Sequence, residues 1–231
     1  MRKRLLILMT ILVLLLPSVS VQAEEPEPPQ MIKIGLKYGN TAVASCSLSA
    51  DQGFLLGTVT GTSFLSTESL SGYRTIKAQI QGSEILLSDD AGNPIRTLTA
   101  GTTWCLIPTD HETGGKVSLS AQELRVYRGG MILTPNGAGA MNVVNLVSMD
   151  QYLYGVLHAE LGQSNPLEAL KAQAVAARSF AVVKASEGTH AADAFDLCST
   201  TQCQAYLGAN IEYPKTNQAV DETTGLVLYH N

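Results

Sequence analysis

Glu160 is the residue of this sequence best placed to move a proton. Residues 149–161 read as a helix with Leu153, Val156, Leu157 and Leu161 on one face. Glu160 follows Val156 by four and Leu157 by three, so it projects onto or beside that apolar face. A carboxyl group there is expected to be desolvated, which favours its protonated form, and that is the form a general acid needs. The same spacing also suits a surface glutamate at the edge of the face, and both readings stand on spacing alone. A second cluster is His190, Cys198 and Cys203, in the pattern His-x7-Cys-x4-Cys. These are ligand types that suit zinc. A short-loop Cys198–Cys203 disulfide is the competing reading, since export permits disulfides. Cys46 and Cys105 lie in strand-like runs, where they either pair or are buried as small hydrophobes.

Other chemistries are excluded by motif. Gly114-Gly115-Lys116-Val117-Ser118 lacks the earlier glycine of a phosphate-binding loop and has Val where Ser or Thr must follow Lys. His111-Glu112 continues as Thr-Gly-Gly and cannot form a zinc-binding helix face. No Gly-x-Ser-x-Gly nucleophile elbow is present. His158 stands two residues from Glu160, on a different side of the helix, and reads as a surface histidine rather than a second acid.

The elements that must position Glu160 follow from periodicity and turn chemistry. The first helix has Asp150 near its start, where the dipole favours a carboxylate, and Gly162 at its end. After Gly162-Gln163-Ser164-Asn165, a second helix is expected from Pro166 to about residue 185, with Asn165 as its cap. Leu167, Leu170, Ala174, Ala177 and Ala181 give that helix a narrow stripe of mostly small side chains, suited to close packing at the centre of a domain. Lys171 and Arg178 share another face, which reads as a solvated stripe.

Upstream, residues 31–126 alternate short β-like runs with Gly, Asn, Asp and Pro turns and carry nothing catalytic. The strands expected are 31–38, 42–48, 54–60, 75–81, 84–87, 95–98, 104–108, 117–119 and 124–127, with two more at 131–134 and 142–147. The fold class is therefore α+β: a β-rich N-terminal region, then a domain with two central helices packed on strands.

The first 23 residues read as a secretory signal peptide: Arg2, Lys3 and Arg4, an apolar run from Leu5 to Leu16, and Val21-Gln22-Ala23 before Glu24. Residues 24–30 form a short linker. The protein is thus expected to be exported to the cell envelope or beyond, and to be membrane-anchored if the leader is not cleaved. The 231 residues carry a net charge of -5. Removing Arg2, Lys3 and Arg4 from the 15 basic residues leaves 12 against 20 acidic ones, so a nucleic-acid partner is not expected.

From Tyr127 to the C-terminus the sequence resembles the stage II sporulation protein D / LytB family (SpoIID/LytB). The resemblance rests on Asn145-Leu-Val-Ser-Met-Asp-Gln-Tyr-Leu-Tyr-Gly-Val, on Ala159-Glu160, on Pro166-Leu-Glu-Ala-Leu-Lys-Ala-Gln-Ala-Val-Ala-Ala-Arg-Ser-Phe-Ala, and on Phe195-Asp-Leu-Cys-Ser-Thr-Thr-Gln-Cys-Gln-Ala-Tyr. It implies a domain over residues 127–231 acting on peptidoglycan glycan strands. The sporulation-type members are lytic transglycosylases, and their essential glutamate falls on Glu160. Arg178, Gln204 and Tyr206 match further family positions, which implies substrate-binding roles: Arg178 to orient Glu160 or hold a carboxylate, Tyr206 to stack on a sugar. LytB-type members imply the alternative of an amidase enhancer, with a cell-wall amidase as partner. The chemistry requires no cofactor. Some relatives bind zinc in the region of His190, Cys198 and Cys203, where it would brace the loop near Glu160, although Gln202 stands where many carry His. Leu161 replaces a common Met, a mild packing change. Family domains usually continue with strands and a Ser/Gly-rich segment that helps wall the cleft, so for this sequence, whose last residue is Asn231, the resemblance leaves two readings, a C-terminally truncated domain or a variant with an incomplete site.

Overall fold

The computed structural model of the protein describes residues 29–122 and 125–229. The expected signal peptide, residues 1–23, and most of the linker lie outside them. Thirteen strands among the described residues form two sheets. The six-stranded sheet contains β2 (Ser45–Ser49), β5 (Thr75–Gln81), β6 (Glu84–Ser88), β7 (Pro94–Leu98), β9 (Lys116–Leu119) and β10 (Arg125–Arg128), in the order β10-β9-β2-β5-β6-β7. The seven-stranded sheet contains β1 (Met31–Lys37), β3 (Phe54–Thr60), β4 (Ser63–Leu70), β8 (Trp104–Pro108), β11 (Gly130–Pro135), β12 (Met141–Ser148) and β13 (Leu197–Cys198). Its order is β13-β1-β12-β11-β8-β3-β4.

Alternation builds both layers. In β5, Ile76 and Ala78 are buried while Lys77 and Gln79 face solvent, the period of two that a half-buried strand requires. β12 is buried along almost its whole length. Its apolar residues point to both faces because both are covered, and the two asparagines among them, Asn142 and Asn145, are buried as well. Met131, Leu133, Val143 and Val147 join the main core, with Leu48, Ile76 and Leu87 of the other sheet. Ile132, Val144 and Leu146 point the opposite way, into a second cluster with Cys105, Phe195 and Cys198.

The seven-stranded sheet draws on both halves of the sequence. β1 pairs antiparallel with β12 and parallel with β13, so the chain on either side of residues 126/127, which themselves lie in β10 of the other sheet, shares this sheet. The β-rich region supplies strands to the layer on which the helices sit.

β12 leads directly into α1 (Met149–Glu160). Ser148 ends the strand in extended backbone, and its side chain accepts from the Gln151 N–H as an N-cap. α2 (Leu167–Glu187) buries Leu170, Ala174, Ala177 and Ala181, the stripe expected from the sequence. It starts one residue later than expected. Pro166 occupies the cap position, and the Asn165 side chain donates back to the Gly162 carbonyl. α2 ends at Gly188, in the left-handed region. A third helix, α3 (Pro214–Asp221), packs against α1 and α2 through Ala219 and Val220. No helix among the described residues is long and apolar enough to cross a membrane.

Candidate functional site

Glu160 is the last residue of α1, and its side chain is exposed rather than desolvated. The helix ends there, so the carboxylate stands at the rim of the apolar face and not within it. Two side-chain amides hold it. Gln173 of α2 donates from Nε2 to Glu160 Oε2 at 2.8 Å, and Gln204 donates from Nε2 to Glu160 Oε1 at 2.8 Å. Both carboxylate oxygens thus accept N–H bonds, which fixes the plane of the group. The donors also offset the unfavourable placing of a negative charge at a helix C-terminus. A cleft of about 310 Å³ opens beside it, floored by Ala176, Ala177 and Phe180 of α2 and closed by Cys203 and Gln204. Glu160 is the one carboxylate among its described lining residues.

Gln204 is itself buried. Its Oε1 accepts from the Tyr152 hydroxyl at 2.9 Å. Burial and the nearby Glu160 charge push the Tyr152 phenol well above its ordinary value, so it remains a protonated donor. The backbone carrying Gln204 is held by Tyr206 N–H donating to Ser199 O and Leu207 N–H donating to Gly155 O. Gly155 of α1 permits this approach. A Cβ there would meet the Tyr206 ring at 2.5 Å.

Tyr206 and Arg178 do not reach the cleft, which corrects the substrate-binding roles expected for them. Tyr206 is 1% exposed, between Tyr127 and Tyr152, at ring distances of 5.6 and 5.0 Å. Its hydroxyl donates to Asn145 Oδ1, and Asn145 Nδ2 donates to the carbonyls of Arg128 and Gly130. No face of that ring is open to a sugar. Arg178 is 0% exposed. Its Nη1 donates to Thr223 O at 2.7 Å and Leu226 O at 3.1 Å, and Nη2 donates to Asp150 Oδ1 at 2.8 Å. It therefore clamps the segment after α3 onto the start of α1, at the opposite end of that helix from Glu160. Arg178 therefore faces protein and not solvent, because α3 and the segment after it, which sequence periodicity did not reveal, cover it, whereas Lys171 on the same stripe stays at the surface in ion pairs with Glu168 and Glu222.

The His-Cys-Cys cluster does assemble. The ligand atoms of His190, Cys198 and Cys203 all lie within 4.8 Å of one another, with His190 Nε2 and Cys203 Sγ 3.2 Å apart. Cys198 lies on β13, whose pairing with β1 is extended by Ser199 N–H donating to Gly35 O. Cys198 and Cys203 are free thiols, as are Cys46 and Cys105, which lie in different sheets. Burial opposes ionisation of Cys198. Hydrogen bonds from the side chain and backbone of Thr200, from Cys203 and from Tyr38 outweigh it and hold that thiol below its ordinary value. Burial holds Cys203 above its own. Two sulfurs and one imidazole nitrogen converging in a pocket fit a zinc ion with one further position.

Sequence reasoning missed three members of this region. Tyr38 follows β1; its ring meets Phe195 at 4.7 Å and His190 at 5.8 Å, and burial with the Cys198 hydrogen bond pushes it up to about 12. Gln173 and Tyr152 stood within the family-like segments but carried no chemical signal of their own. His158, taken as a surface residue, is half-buried with its ring on Tyr213 at 4.2 Å.

Residues 137–230 match the family model described as SpoIID, stage II sporulation protein. An uncharacterized protein of Brachyspira hyodysenteriae is 38% identical over 97 residues, which are 42% of this chain and 26% of the relative. The chain thus spans about a quarter of the length of that curated relative. No solved structure matches.

Proposed function

We propose that the protein is a lytic transglycosylase that cuts peptidoglycan glycan strands and leaves 1,6-anhydromuramyl ends, a reading supported by the match of residues 137–230 to the SpoIID family model. The observation that carries this reading is a single carboxylate, Glu160, held by two amides at the mouth of a cleft. Glycoside hydrolases generally use two carboxylates, one to protonate and one to attack or activate water. A reaction that uses the substrate's own hydroxyl as nucleophile needs only one.

Protonated Glu160 gives its proton to the glycosidic oxygen as the C1–O bond breaks. The muramyl C6 hydroxyl attacks C1, and the Glu160 carboxylate takes the proton released from that oxygen. The anhydro ring closes, no water is consumed, and Glu160 regains the proton it gave. Gln173 and Gln204 hold the carboxyl plane through both transfers, and the Ala176, Ala177 and Phe180 surface supplies an apolar bed for a sugar ring.

His190, Cys198 and Cys203 would hold a zinc ion. Bound there, the ion supplies a structural cross-link between β13 and the residue preceding Gln204, with no part in the proton transfers. The leader-like N-terminus supports action outside the cytoplasm, on the glycan itself.

The test is a digest of purified glycan strands by wild type and Glu160→Gln, read by mass spectrometry. Anhydromuramyl ends from wild type, with a loss of roughly 1,000-fold or more in the variant, are expected for removal of an essential acid–base group. Binding without cleavage by both proteins would overturn the enzymatic reading. It would leave the alternative, an amidase enhancer that holds glycan for a separate cell-wall amidase.

A further inference from the structure

We infer that Tyr152 is a positioning residue for Glu160: its hydroxyl fixes the sense of the Gln204 side-chain amide, so that the amide donates to the carboxylate rather than turning its oxygen toward it. The inference rests on the reading of Glu160 as the group that cleaves the glycan.

A glutamine amide has an acceptor at one corner and a donor at the other. Gln204 lies between two partners that make different demands on those corners. Tyr152 Oη donates to Oε1 at 2.9 Å, and Nε2 donates to Glu160 Oε1 at 2.8 Å. With the amide reversed, two acceptor oxygens would face each other at Glu160. The Tyr152 hydroxyl would then accept from Nε2, leaving its own proton without the acceptor it now has. Tyr152 is 0% exposed, so bulk solvent does not reach that proton, and an unpaired buried donor costs its desolvation. The hydroxyl therefore selects one of the two orientations.

This effect is separable from placement of the loop. The Gln204 segment is tied to the domain by the backbone bonds of Tyr206 and Leu207 and by the Tyr206 hydroxyl on Asn145. None of these passes through Tyr152. The Tyr152 ring also packs on Tyr206 at 5.0 Å, a contact that Tyr152→Phe keeps, and what the hydroxyl adds is the direction of one amide. In that direction Gln204 donates to the carboxylate that must accept the C6 hydroxyl proton. In the other, the Gln204 oxygen would compete with the glycosidic oxygen for the proton of Glu160.

The test uses the full chain on purified glycan strands, with wild type, Tyr152→Phe, Gln204→Met and the double variant. Tyr152→Phe should lower kcat roughly tenfold to hundredfold, the scale of a misaligned catalytic group. Its KM should stay within about twofold of wild type, since Tyr152 does not line the cleft and no contact with substrate is removed. The double variant should be no worse than Gln204→Met, because the relay is already broken. A wild-type kcat in Tyr152→Phe, or full additivity in the double variant, would overturn the inference. A second readout needs no turnover. The ¹⁵N-labelled side-chain amide of Gln204, assigned by its loss in Gln204→Met, should shift and exchange faster in Tyr152→Phe. An unmoved signal counts against Tyr152. Wild type that cuts no glycan refutes the transglycosylase reading instead, and the amide signal then decides the orienting role by itself.

Discussion

Replacing Arg178 by methionine separates a structural arginine from a substrate-binding one. The guanidinium donates to Thr223 O, Leu226 O and Asp150 Oδ1, from a side chain with no exposure. Methionine keeps most of the stem and removes the charge. Asp150 is not stranded: its side chain is 26% exposed, and its Oδ2 still accepts from Thr224. Thr223 O keeps the Leu226 N–H and Val220 O keeps the Thr223 N–H, so the main loss is the donor to Leu226 O and the charge-assisted tie across the segment after α3. Breaking a buried pair costs about 3–5 kcal/mol, and the relief open to Asp150 puts this case near 3 kcal/mol. For a fold of this size that lowers Tm by about 6–12 °C. The loss should be localised, so limited proteolysis should open the chain after residue 223 before it opens elsewhere. Glu160 lies roughly 15 Å along α1 from Asp150 at the helical rise, and KM for glycan strands should hold. An Arg178→Met protein that melts like wild type would refute this reasoning, and a raised KM with unchanged Tm would return the residue to substrate binding.

Two further outcomes follow from the thiols. Cobalt(II) should bind at a single site with thiolate charge-transfer absorption, lost in Cys203→Ser, and its affinity should fall with falling pH because the thiols must deprotonate to bind; a spectrum indifferent to that substitution would remove the metal assignment. Burial pushes Cys46 up to about 12 and Cys105 higher still. Unfolded thiols ionise near 8.5 while the buried ones stay protonated, so their contribution is fully present below about 8.5 and is lost as pH rises toward 12, at about 2 kcal/mol per thiol by pH 10. Urea midpoints that stay level from pH 8 to pH 10 would contradict it.

Periodicity carried most of the fold. The strands with alternating apolar residues and both long helices were legible, because burial on one face writes itself into the sequence. β4 was not, since Ser63–Leu70 forms an exposed edge with little buried side chain to announce it. β13 spans only Leu197–Cys198 and exists through its pairing with β1. α3 carries a weak apolar pattern in Pro-Lys-Thr-Asn-Gln-Ala-Val-Asp. At the site, the type and position of Glu160 were legible, and so was the His-Cys-Cys spacing. The solvent exposure of Glu160 was not, because it depends on where α1 stops. Arg178 and Tyr206 were expected as ligands because they match positions of the family resemblance, and a charged or aromatic side chain suits a binding role and a structural one alike. Only three-dimensional packing distinguishes a clamp or a core ring from a binding group.

The place of β1 in its sheet has a consequence for biogenesis. Its partners, β12 and β13, both come late in the chain, and the bond from Lys33 N–H to Asp196 spans 163 residues. A chain made N-terminus first therefore presents β1 with both edges unsatisfied until residue 148 has emerged, and with one edge unsatisfied until residue 198. Such long-range closure is slow, and an unpaired apolar strand is a template for wrong partners. The strand that ties the N-terminal region to the helical part is thus left open to wrong partners while the chain is being made. The cleft, which needs Gln204 beside Glu160, is completed only when that wait ends.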